Sequence, residues 1–176
     1  MIKLKNILNE NSLNYKDAST LHGSQWLFDF IKDEEGDPKR KGEPVLTSYK
    51  QSGDVWTIGY GHTSGVTPNM TITNQEALQF MYDDLTNSAN DVRRIFKQWK
   101  AKGLDIKITQ QMFDVLVSLV FNAGIGALRN SNLIQSIKQK KYKEAAVEIL
   151  TYRLKSGFSG LNTRRKKESN YFLTML

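Results

Sequence analysis

Leu27, Ile31 and Glu35 fall at every fourth position, so a helix through "QWLFDFIKDEEG" ends its apolar stripe on a carboxyl. That carboxyl is partly desolvated and faces the negative end of the helix dipole. Both effects disfavour the anion, which is what a general acid needs near neutral pH. Glu34, four residues after Phe30, is not separated from Glu35 by periodicity, and a helix-end carboxylate resting in solvent is the competing reading. A second stretch with chemical content is "SYKQSGDVWTIGYGHT". Strand alternation puts Val55, Thr57, Gly59 and Gly61 on one face and Trp56, Ile58, Tyr60 and His62 on the other. The large face is expected to pack. The small face, a hydroxyl among glycines, is expected to lie open to a ligand, unless this is only a glycine-weakened edge strand. His22 and His62 stand 40 positions apart without acidic or thiol partners at ligand spacing. No metal is therefore expected. No cofactor is expected either, since no Ser-His-Asp signature, phosphate loop or dinucleotide fingerprint occurs.

These residues need elements to hold them. Ser24 is placed to cap a helix beginning at Gln25, with Leu27, Phe28, Phe30 and Ile31 as its stripe and Gly36 as its stop. "GDPKRKGEP" reads as a loop and "SGVTPN" as a second turn-rich stretch. Thr73 with Glu76 forms a capping box that opens a long helix from about Asn74 to Trp99, broken at "KAKGLD". Thr109 caps "MFDVLVSLVF", apolar on nearly every side and so expected at the centre of the core. Ser131 caps a short helix, "YKEAAVEILTYR" makes another, and a last one follows Gly160. The fold class is α+β and mostly helical, with one small sheet near the N-terminal end. Residues 1–22 are polar and weakly periodic and read as an N-terminal extension.

Composition narrows the partners. A chain of 176 residues, 39% hydrophobic and 24% charged, can bury a real core. It has no cysteine, hence neither a disulfide framework nor a thiolate metal site. No run of about 18 apolar residues suits a membrane span, and "MIKLKNILNENSLNYKD" has no secretory h-region. The net charge of +7 points to a polyanionic partner, with basic residues crowded in "KQKKYK" and "TRRKK". A solvated helix face explains such runs equally well. Nucleic acid is not expected, because no aromatic-basic interleaving of the RNP type is present.

In order along the chain, "FIKDEEG", "SYKQSGDVWTIGYGHT", "FDVLVSLVFNAGIGA" and "GLNTRRKKE" resemble the phage-type lysozymes, glycoside hydrolase family 24, which include the T-even phage enzyme. The resemblance covers about residues 24–176. It implies a lysozyme-like single domain over 23–176: a small N-terminal α/β lobe (23–72), a connecting helix (73–99) and a helical lobe (100–176). It implies peptidoglycan glycan strands as substrate, cut at the β-1,4 bond between N-acetylmuramic acid and N-acetylglucosamine. The family's acid, the glutamate directly before the glycine, matches Glu35, and its threonine matches Thr57. Its aspartate falls six positions earlier, where this chain has Gln51. Family members with a non-acid such as cysteine at this position belong to the resemblance. Asp54 is the alternative base if the hairpin register is shifted. The loop after Glu35 is longer than in the T-even enzyme and the segment after His62 is shorter.

The resemblance further implies Tyr60, Phe121, Asn122 and Ser131 on the substrate side, and His62 as a structural partner of Asp84. It implies an enzyme made in a host bacterial cytoplasm and reaching the wall through a holin or in a virion, without a specific protein partner and as a monomer. The basic late helices are expected to bind anionic wall or membrane polymers. Two other activities compete with hydrolysis: a lytic transglycosylase on the same bond, and a cell-wall binding module with weak activity.

Overall fold

The computed structural model describes residues 14–50, 54–152 and 159–174. The chain forms two compact units, Gly23–Ala89 and Met1–His22 together with Asn90–Leu176.

The first unit opens with α1 (Gln25–Glu35), which buries Leu27, Phe30 and Ile31. Each such side chain taken from water stabilises by about 1.5–3 kcal/mol. Ser24 occupies the N-cap position, but its side chain does not accept from the helix N–H groups; its carbonyl does, from Leu27. The expected side-chain cap is therefore absent. An antiparallel hairpin follows, β1 (Val45–Lys50) and β2 (Trp56–Gly59). Residues 70–72 cover the other edge of β1: Ser48 N–H donates to Met70 O and Ile72 N–H to Leu46 O, at 2.9 and 3.0 Å. The capping box forms as the sequence predicts. Thr73 N–H donates to Glu76 Oε2 at 2.7 Å, and Glu76 N–H donates back to Thr73 Oγ1 at 3.2 Å.

That box opens α2 (Asn74–Ala101), which starts in the first unit and ends in the second. In the second unit α3 (Gln110–Ala123) is buried continuously from Met112 to Val120, as its all-round apolar pattern requires. Thr109 caps it, accepting from Met112 N–H at 3.3 Å. Around it lie α4 (Ile125–Arg129), α5 (Asn132–Lys138), α6 (Tyr142–Thr151) and α7 (Ser159–Leu173), with α7 against α3 and α6. Residues 14–22 belong to this unit. Ala18 and Leu21 are buried, and Lys16 and Ile108 exchange both backbone hydrogen bonds. Among the described residues no helix is long and apolar enough to cross a membrane.

Candidate active site

Glu35 is the last residue of α1, and the chain turns sharply after it. Gly36 makes that turn possible. A Cβ there would lie 2.6 Å from Lys32 O and 2.8 Å from Glu43 O, so only glycine fits. The following loop closes on itself: Asp37 N–H donates to Glu43 O at 2.7 Å, and Arg40 bridges Asp37 and Glu43 at 3.2 Å each. The loop that lacked any period in the sequence is thus held by its own charges.

Across the hairpin Tyr49 stands directly opposite Thr57, so their side chains share one face. Burial, and then the charge of Glu35, hold the Tyr49 phenol above its ordinary range. Gly61 also approaches Glu35: a Cβ built there would be 3.8 Å from Glu35 Oε2. The first unit therefore gathers Glu35, Tyr49, Thr57 and Gly61.

Two expectations about this strand are corrected. It ends at Gly59 rather than running through His62, because Gly59 and Gly61 take φ of +67° and +92°. Ile58 and His62 exchange both backbone hydrogen bonds around that turn, at 2.9 Å each. Nor is the small face open throughout: Thr57 is only 2% exposed and Gly59 packs against Ala77 of α2, whereas Val55 is exposed. Tyr60, expected on the substrate side, is 4% exposed and donates its hydroxyl to Gly42 O at 3.0 Å. It pins the 37–43 loop instead.

Gln51 lies outside the described residues. The side chain of Asp54 is 100% exposed and pairs with Lys50 Nζ at 2.9 Å, so the structure does not bring it to Thr57. His62 meets Asp84 Oδ2 through Nδ1 at 2.8 Å and Ser64 O through Nε2 at 2.9 Å, and stacks on Phe80. Both ring nitrogens thus face oxygen atoms.

Phe121, Asn122 and Ser131 belong to the second unit. The Ser131 hydroxyl donates to Leu128 O at 2.7 Å and accepts from Ile134 N–H at 3.2 Å, which leaves it only a lone pair for a ligand. It lines a surface pocket of about 680 Å³ with Asn130, Asn132 and Glu148. Asn122 Oδ1 accepts from Arg165 Nη2 at 2.5 Å. Arg165 is fully buried and also pairs with Glu168, which accepts from Ser118 Oγ at 2.6 Å and Arg164 Nε at 3.3 Å. This corrects the reading of "TRRKK" as surface charge. Arg164 and Arg165 serve an interior carboxylate, because helical spacing aims both at Glu168.

Two contributors were missed in the sequence, Tyr49 and Arg165, and Gly61, placed there on the small face with Thr57, was not paired with Glu35. Counting hairpin register back from the turn would have paired Tyr49 with Thr57. The i, i+3 and i, i+4 spacing in "RRKKE" was the signal for Arg165. Nothing local marks Gly61 as a neighbour of Glu35.

A helical protein with a small hairpin, a carboxyl at the end of its first helix and a hydroxyl on the adjacent strand defines a lysozyme-like class. Residues 42–168 match the phage lysozyme family, and the chain belongs to it. It is 35% identical over 122 residues to an endolysin of Bacillus phage B103, an alignment covering 68% of this chain and 43% of that protein. The chain thus spans less than half the length of that relative. Among solved structures it resembles the muramidase domain of SpmX from Asticaccaulis excentricus, with TM-score 0.72, 26% identity, and coverage of 88% of this chain and 99% of that one. It also resembles an endolysin from Escherichia coli O157:H7 phage FAHEc1, with TM-score 0.71, 27% identity, and coverage of 89% and 96%.

Proposed function

We propose that this chain is a peptidoglycan hydrolase acting at the bacterial cell wall, cleaving the β-1,4 bond between N-acetylmuramic acid and N-acetylglucosamine. The observation that carries this reading is the placement of Glu35 at the end of α1, beside Gly61 and the strand face of Tyr49 and Thr57, in a member of the phage lysozyme family. Glu35 donates its proton to the glycosidic oxygen as the C–O bond breaks. A water held by Gln51 and Thr57 attacks the anomeric carbon. The Gln51 amide orients that water but cannot take its proton, which passes to solvent.

Glu35→Gln should lower wall lysis by about 10²–10⁴-fold while the fold persists by circular dichroism. Near-normal lysis by Glu35→Gln, with Glu34→Gln inactive, would move the acid by one residue.

One observation favours a second reading. Asp54 is turned to solvent and paired with Lys50, and the family's aspartate position holds Gln51. A lytic transglycosylase needs the acid but no water-activating base, since the substrate's own hydroxyl attacks. Mass spectrometry of the products separates the two: a free reducing end supports hydrolysis, and a 1,6-anhydro ring supports the transglycosylase.

A further inference from the structure

We propose that the basic concavity on the C-terminal half of α2 binds a linear phosphodiester polymer of the cell wall, at a site separate from Glu35. The concavity, of about 690 Å³, lies in the second unit and is lined by Arg93, Arg94, Lys97 and Lys100, with Asp17 and Ser19 opposite. Helical spacing puts the four cations on one face. Two of them are already matched, Arg94 by Asp91 at 2.9 Å and Lys100 by Asp17 at 2.6 Å. Arg93 and Lys97 face no carboxylate among the described residues.

Arg93 is also held in place. Its Nε and Nη2 donate to Leu21 O at 3.1 and 2.6 Å, its Nη1 donates to Asn90 Oδ1 at 2.8 Å, and it lies over the Phe113 ring. All these acceptors are neutral, so the guanidinium keeps its full charge in a fixed position at the concavity. An anion meeting it loses little to ordering the protein.

The chemistry of the lining selects the ligand. Arg93 and Lys97 are separated by about 6 Å along the helix axis, so they can meet successive charges on an extended chain. A phosphodiester supplies one permanent charge per repeat and suits guanidinium donors. Among the described residues no aromatic side chain lines the concavity, so they give bases no stacking platform. Nor, among the described residues, does an apolar side chain line it to enter a lipid surface. The choice of a wall polymer rests on the proposal that the chain acts at the wall.

The test is sedimentation binding of the full chain to walls bearing a polyol-phosphate polymer, and to the same walls stripped of phosphodiesters by hydrofluoric acid. The unaltered protein should bind the phosphate-bearing walls about tenfold or more tightly, with an advantage that falls as salt rises. Arg94→Glu with Lys97→Glu should abolish that advantage, whereas the charge-matched Lys140→Glu with Lys143→Glu should retain most of it. Equal losses in the two double variants would reduce the effect to net charge and overturn the site. Equal binding of the unaltered protein to both walls would overturn it too, as would tighter binding to duplex DNA or phosphatidylglycerol vesicles. Lysis of the stripped walls is scored in parallel and should be the same for the unaltered and Arg94/Lys97 proteins. Failure of all lysis there would strike the hydrolase reading while leaving the binding comparison intact.

Discussion

Gly61 holds φ at +92°, and a Cβ built on it would stand 3.8 Å from Glu35 Oε2. An L side chain in such a conformation costs about 1–2 kcal/mol. Gly61→Ala should therefore lower Tm by about 2–4 °C for each kcal/mol at this chain length, and slow wall lysis by crowding the acid. Calorimetry and a turbidity assay would read both, and an unchanged rate would place the reacting sugar away from Gly61. The neighbouring question is the base. If Gln51 only orients water, Gln51→Asp should raise kcat about tenfold or more, since full base catalysis contributes about 10²–10⁴. Asp54→Asn should change kcat little, because its carboxylate is fully exposed and paired with Lys50. An inactive Asp54→Asn beside an indifferent Gln51→Asp would assign the base to Asp54. The position of Glu35 at the end of the apolar stripe was legible from four-residue spacing, which did not separate it from Glu34. Burial of Thr57 was not legible, because alternation sorts side chains between faces without saying what covers each face.

At the scale of elements, the N-terminal segment is tied to the end of α2 by Asp17. Its carboxylate accepts from Lys100 Nζ at 2.6 Å and Ser19 N–H at 2.9 Å. The Lys100 hydrogen bond, then the Ser19 amide, hold the Asp17 carboxyl well below the usual carboxylate range. A depressed folded value means that this stabilisation is full above the unfolded value of about 3.9 and disappears as pH falls through the folded one. The Tm difference between the unaltered protein and Asp17→Asn should be constant from neutral pH to about pH 5, shrink below pH 4 and vanish in stronger acid. A difference that does not change with pH would mean that Asp17 acts only as a cap of the turn at Ala18–Thr20. Caps and stops elsewhere were readable because they are local: Thr73 with Glu76, Thr109, Ser131 and Gly36 all sit where their residue types require. The end of β2 was not, since only the backbone twist at Gly59 and Gly61 reveals that the strand stops there.

For the whole molecule, the buried charges of α7 matter most. Glu168 is enclosed with Arg164, Arg165 and Ser118 between α7 and α3. Removing one partner of such a group costs about 3–5 kcal/mol, a large share of the roughly 5–15 kcal/mol that holds a domain together. Glu168→Ala should lower Tm by roughly 10 °C and loosen Asn122 through Arg165. Arg164→Leu and Arg165→Met together with Glu168→Leu should recover much of the stability without restoring the Asn122 contact. If the single variant is as stable as the parent, the cluster is hydrated and its charges are not paired in the dry interior.

From the amino-acid order alone came the mostly helical class, the hairpin, the central apolar helix and a carboxyl at the end of α1. Each follows from periodicity or from a cap spanning at most four residues, and local physics decides those. Tertiary structure alone decided that Arg164 and Arg165 point inward, that Tyr60 holds a loop, and that Asp54 faces water. For Arg165 and Tyr60 the role depends also on a partner distant in sequence, and for Asp54 on its being left uncovered. Arg165 serves Asn122, Tyr60 serves Gly42, and Asp54, fully exposed, pairs with Lys50 four residues away. Charge and amphipathicity are properties of a segment, whereas burial is a property of what the rest of the chain places against it.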